Sequence, residues 1–145
     1  MTKIFESDVE QMAIETLQSQ GYTYLSPEEQ EAERPDLTEV ILKDRLWRAI
    51  SVLNPHIPAD ALDYAFRQVL SLPTQSLIEN NEAFHIFLTE GVPVEYQKNG
   101  ETVGDSVRLV DFEDLGNNDF VVTNQFTVLP VGNTDGHGSK RPDVV

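Results

Sequence analysis

Cysteine is absent from the 145 residues, which excludes disulfides and thiolate–metal sites. A chain without thiols fits a reducing compartment. Basic residues are scarce: ten Lys and Arg stand against 25 Asp and Glu, for a net charge of −15. A module that holds duplex DNA alone normally clusters Lys and Arg against the phosphates. If this protein handles DNA, another part of its assembly must supply the basic surface. Solubility alone also accounts for an acidic surface. Long apolar runs are missing too. None approaches the roughly 20 residues that a membrane span needs. The N-terminus, MTKIFESDVEQ, lacks the apolar stretch of a secretory signal. The resulting expectation is a cytoplasmic protein with no membrane partner. Neither a G-x-x-x-x-G-K-[ST] phosphate loop nor a dinucleotide glycine fingerprint is present, and no Ser-His-Asp arrangement stands out.

What remains is ordinary globular material: 39% apolar residues, enough for a domain with a core. Ser7 and Glu10 have capping-box spacing, so a helix is expected over 7–20 with Gly21 as its stop. Val9, Ala13, Ile14 and Leu17 fall on one arc of that helix. Glu10 falls inside the arc, Glu6 would join it if the helix began a turn earlier, and Glu15 points to water. SPEEQEAERPD (26–36) reads as an acidic surface loop. Asp36 and Glu39 suggest a helix running to Leu53, with Leu42, Leu46, Ala49 and Leu53 inward. Pro58 opens a helix to about Leu70, broken at 71–74. A further helix is expected from about Gln75 to Glu90, with Leu77, Phe84, Phe87 and Leu88 inward and Gly91 ending it.

After Gly91 the pattern turns to strands. VPVEYQ (92–97), SVRLVDF (106–112) and FVVTNQFTVLP (120–130) are rich in β-branched and aromatic residues. Lys98-Asn99-Gly100 is a hairpin signal, and residues 116–119 mark another turn. VGNTDGHGSK (131–140) reads as a flexible loop, and RPDVV (141–145) as the start of one more strand. The fold class is therefore α+β: helices over 7–90, then a small mixed sheet over 91–145 that looks incomplete at the C-terminus.

Three segments carry a resemblance: FESDVEQMAIETLQSQGY (5–22), FHIFLTEGVPVEY (84–96), and NNDFVVTNQFTV (117–128) followed by RPDVV (141–145). In this order they resemble the N-terminal region of the restriction (R) subunit of type I restriction–modification enzymes, over essentially the whole chain. The resemblance implies the first part of a PD-(D/E)XK nuclease domain, a mixed sheet flanked by helices. It implies an endonuclease that cleaves DNA with Mg2+, coupled to an ATP-driven translocase further along the polypeptide. Its partners would be DNA and the modification and specificity subunits. By the family pattern Asp143 is the metal-binding aspartate. Glu10 is the first match for the helix carboxylate, and Glu6 the second. Phosphodiester cleavage needs an activated water and stabilised phosphate charge, which Mg2+ on hard oxygen ligands supplies.

The chain departs from the pattern at one point. No E-x-K follows Asp143, because two residues remain. The expectation is a truncated chain, inactive alone, without the motor that binds ATP. Bland readings stand beside these assignments. An Asp after Arg-Pro can be a surface residue, and a capping-box Glu needs no catalytic role. His56 reads as turn, His85 as a helix surface or satisfied core histidine, and His137 as a loop residue. Asp111 reads as the start of a turn, although in such a sheet it could lie near a site. Asn124 and Gln125 are expected on opposite faces of a strand, as support for a site or as sheet structure. The alternative function is an acidic, non-enzymatic interaction module, even a DNA mimic.

Overall fold

Two compact units make up the chain in the computed structural model, which describes residues 5–71, 74, 76–131 and 138–145. One unit is Met1–Asp44 with Asp119–Val145, and the other is Arg45–Asn118. In chain order the helices are α1 (Glu6–Ser19), α2 (Pro27–Glu33), α3 (Lys43–Leu53), α4 (Ala59–Leu70) and α5 (Leu77–Glu90). The strands are β1 (Thr23–Leu25), β2 (Val92–Lys98), β3 (Glu101–Val107) and β4 (Val121–Thr123). The mixed α+β class expected from the sequence is what the chain adopts. No helix among the described residues is long and apolar enough to cross a membrane.

Local chemistry explains where the elements begin. Helix α1 is capped at Phe5, two residues before the expected Ser7 cap. The Asp8 carboxylate accepts the Phe5 N–H at 2.9 Å, so Ser7 lies inside the helix and Glu10 is released from any capping role. Residues 26–33 are not the expected loop. Ser26 Oγ accepts the Glu29 N–H, and the Glu29 carboxylate accepts the Ser26 N–H at 2.8 Å. That reciprocal pair, with Pro27 in the first turn, nucleates α2. Asp36 does not start a helix. Its carboxylate takes the Thr38 N–H and hydroxyl at 2.9 and 2.7 Å, holding a turn, and α3 begins only at Lys43. Helix α5 opens on Ser76, whose hydroxyl accepts the Glu79 N–H. Leu77, expected inward, is 73% exposed. Gln75, the break at 72–73, and the loop at 132–137 lie outside the described residues.

In the second unit, α4 packs on β2 of the β2–β3 hairpin. Ile50, Ile57, Ala65, Val69, Val92, Val94 and Val107 are buried there, with Phe84 and Phe87 packed against them. Asn99 and Gly100 both have positive φ (54° and 83°), the geometry of a tight two-residue turn. The second strand must therefore resume at Glu101 rather than at Ser106 as the apolar pattern suggested. Residues 108–112 lie outside the strand.

In the first unit, β1 runs parallel to β4, with Thr23 opposite Val121 and Leu25 opposite Thr123. Strand β1, three residues long, is too short to show a periodic signal in the sequence. On β4's other side the C-terminal segment pairs antiparallel. Thr123 and Val145 exchange both backbone hydrogen bonds at 2.9 Å. Isolated bridges join Asn124 to Val144 and Val128 to Lys140. The strand expected at RPDVV is not formed as a regular strand, and the segment pairs through these isolated bridges and hydrogen bonds. Helix α1 packs against β1 and β4, and α2 against β1.

Candidate functional site

Helix α1 and the C-terminal segment both lie against β4 or its extension, and so form the two walls of a cleft. It has a volume of about 300 Å3 and is lined by Glu6, Val9, Glu10, Ala13, Asp143 and Val144. The positions one turn apart on α1 supply Glu6, Val9, Glu10 and Ala13. Backbone pairing of residues 142–145 with 123–126 supplies Asp143. All three carboxylates singled out in the sequence are therefore brought together in one cleft. Its lining residues include three acidic side chains and no basic one, and the surface facing the cleft is mostly apolar.

Glu10 is the most constrained of the three. Its Oε1 accepts the Asn124 Nδ2 amide at 2.6 Å, and its Oε2 accepts the Gln125 Nε2 amide at 3.1 Å. The Tyr24 hydroxyl donates to Asn124 Oδ1 at 2.7 Å. That donation fixes which end of the Asn124 amide faces Glu10. These partners are neutral, so they orient the carboxylate without cancelling its charge. The expectation that Asn124 and Gln125 point to opposite faces fails here. Gln125 has φ 53°, a left-handed backbone that interrupts strand alternation and turns both amides to the same side. A non-glycine residue held there costs roughly 1–2 kcal/mol, and such strain clusters at functional sites.

The strand extension is anchored from below by Arg34, which is 2% exposed. Its guanidinium donates to the backbone carbonyls of Glu39 and Thr127, both at 2.6 Å, and of Leu37 at 3.3 Å. It also lies 3.9 Å over the Phe126 ring. The residue next to Gln125 is thereby clamped. Tyr24 and Arg34 were both missed in the sequence. Their only signal would have been an aromatic in the short TYL segment of β1 and an Arg among acidic neighbours.

The other candidates do not join this cleft. Asp111, in the second unit, holds the 111–118 turn. It accepts the Asn117 side-chain amide and the backbone N–H groups of Asp114 and Glu113, each at 3.0 Å. The Asn117 amide first, then those N–H groups, hold its carboxyl below the usual range. His56 pairs with Asp105 at 3.2 Å on the same unit, His85 lies exposed on α5, and His137 lies outside the described residues. The second unit also carries a larger open groove of about 870 Å3 beside Tyr64, Glu95 and Asp105. Its lining carries Glu95 and Asp105 and no Lys or Arg.

As donors for a metal, the cleft offers hard carboxylate oxygens and no nitrogen or sulfur. That fits a small divalent cation, which takes one or two carboxylates and retains several waters. Among the described residues no group of three or more His, Cys, Asp or Glu stands ready to hold a metal by itself. Any cation there would take most of its shell from water or from groups outside this cleft.

Residues 3–145 match the family described as "Type I restriction enzyme R protein N terminus". The chain is 37% identical, over 97% of its length, to the type I restriction enzyme HindI endonuclease subunit of Haemophilus influenzae. It is 34% identical, over 94% of its length, to a provisionally named type I restriction enzyme MjaIXP endonuclease subunit of Methanocaldococcus jannaschii. In both cases it spans 13% of the relative's own length.

Proposed function

Because the chain belongs to the family of type I restriction enzyme R protein N-terminal regions, we propose that it forms the metal-binding side of a DNA endonuclease site. Glu10 and Asp143 are its carboxylates, with Glu6 in reserve at the cleft edge. The observation that carries this reading is the meeting of Glu10 and Asp143 in one cleft from opposite ends of the sequence. Both would hold Mg2+, which when bound supplies water activation and charge stabilisation at the scissile phosphate.

The chain's own residues do the positioning. Asp143 sits on a backbone segment fixed by strand pairing, and Glu10 on a helix packed against the same strand. Rigid elements of this kind hold ligands more precisely than loops do. The cleft's carboxylates would repel a phosphodiester until a cation is present, which ties substrate approach to metal loading. The E-x-K residues of the pattern would come from sequence outside these 145 residues. An ATP-driven translocase and the modification and specificity subunits would complete the assembly, and with them the basic DNA contacts.

The test is plasmid cleavage by a restriction subunit carrying this region, assembled with its partners. Glu10→Ala and Asp143→Ala should each reduce double-strand cleavage at least about 100-fold, beyond the usual cost of losing an outer metal partner, while ATP hydrolysis continues. Glu15→Ala, on the solvent side of α1, should cleave normally. Full cleavage by the Glu10 and Asp143 variants would refute the assignment.

A further inference from the structure

We infer that Asn124 and Gln125 are positioning residues that set the Glu10 carboxylate against the Asp143 segment, with Tyr24 fixing the Asn124 amide. The inference rests on the metal-binding reading of Glu10 and Asp143 and deepens it. Each of the two residues acts twice. Through their side chains, both amides donate to Glu10. Through their backbone, Asn124 bridges Val144, and the Gln125 N–H donates to the Asp143 carbonyl at 3.1 Å. One dipeptide therefore grips both walls of the cleft, so the spacing of the two carboxylates is built into it.

The strained backbone at Gln125 is what makes the double grip possible. In a regular strand the two side chains would diverge to opposite faces, and one amide would be lost to Glu10. With φ 53° they converge. Tyr24 completes the chain of donors. If the Asn124 amide flipped, its oxygen would face the Glu10 carboxylate, and the Tyr24 hydroxyl would lose its acceptor. Two amides also bring no positive charge of their own to Glu10, whereas a Lys or Arg partner would. A carboxylate oriented by neutral donors is suited to receive a cation.

The test is Mn2+ titration of this chain, followed by paramagnetic broadening of backbone amide NMR signals, with the thermal midpoint measured in parallel. Glycine adopts φ 53° freely, so Gln125→Gly removes the amide and keeps the backbone. Asn124→Ala removes the other donor, and Tyr24→Phe only the relay hydroxyl. Gln125→Asn, which also tolerates positive φ, shortens the arm by one carbon and serves as the second variant if the glycine form does not fold. Gln125→Gly and Asn124→Ala should weaken Mn2+ binding by about 10- to 100-fold with an essentially unchanged midpoint, and Tyr24→Phe should weaken it less. Glu10→Gln and Asp143→Asn report on the underlying reading. If they weaken Mn2+ binding while Gln125→Gly and Asn124→Ala bind as the parent does, the positioning role is overturned and the metal reading stands. An affinity loss that merely tracks a falling midpoint also overturns it, as a structural effect. If Glu10→Gln and Asp143→Asn leave binding unchanged, the metal reading fails and this inference with it.

Discussion

Arg34 is the residue on which the first unit's polar interior depends. Burial pushes its guanidinium below the usual value, and Glu31 and Asp36 partly offset that. It nonetheless remains a cation, because an arginine is not deprotonated in a protein. Three carbonyls and the Gln30 side chain accept from it. Truncation would strand those acceptors, since a buried group without its partner bears its full desolvation cost. Arg34→Ala should therefore destabilise the fold by about 3 kcal/mol in urea unfolding. Arg34→Lys should recover less than half, because an ammonium cannot reproduce the planar fork. A loss under about 1 kcal/mol for Arg34→Ala would show that the carbonyls find other donors. None of this was legible in EAERPD. The burial depends on Thr127, 93 positions away, and no local pattern reports a partner at that distance. The same holds for Glu10: its place on the apolar arc was visible, but the amides that receive it were not assigned.

At the scale of elements, two aspartates tie the second unit to pH. The Ser106 backbone N–H, then the Tyr96 hydroxyl and His56, hold the Asp105 carboxyl below its usual range. Asn117 and the turn's N–H groups do the same for Asp111. Burial raises the Tyr96 phenol, with Asp105 adding to it, so Tyr96 stays neutral and keeps donating. Groups depressed in the folded state bind protons more readily when unfolded. Their contribution is complete above the unfolded carboxylate value and fades as pH falls through the folded one. The thermal midpoint should drop as pH falls below about 4, and Asp111→Asn should flatten part of that slope. An unchanged slope in Asp111→Asn would place the acid sensitivity elsewhere. Elements punctuated by a strong local signal were legible. Pro58 before α4, Gly91 after α5 and Asn99-Gly100 in the hairpin each act within a few residues. Helix α2 was misread because its acidic run suggested a loop, although Ser26 and Glu29 spell a capping box. Strand β1 is too short for periodicity to register, and β3 begins in ETVGDS, where only Val103 carries an apolar cue.

For the whole molecule, the composition excluded more than it identified. A charge of −15 argues against a free-standing DNA-binding module, the lack of cysteine excludes a thiolate site, and the acidic interaction-module reading is not favoured by family membership. Only the ordered resemblance linked Glu10 to Asp143, since a helix near one end and a segment near the other share no periodic pattern. The fold explains their meeting: β4 is the common partner of α1 and of the C-terminal segment. The chain covers 13% of its relatives' length, so the proposed cleavage and translocation would belong to a longer protein and its partners, whereas the proposed metal site would be carried by these residues. The most direct test is a crystal of the chain soaked in Mn2+, with anomalous scattering recorded to locate the ion. The account predicts a peak in the α1 cleft, with carboxylate oxygens of Glu10 and Asp143 at about 2.1 Å, the range of a small hard cation. A cleft empty of Mn2+ at saturating concentration, or an ion bound only elsewhere, would contradict it.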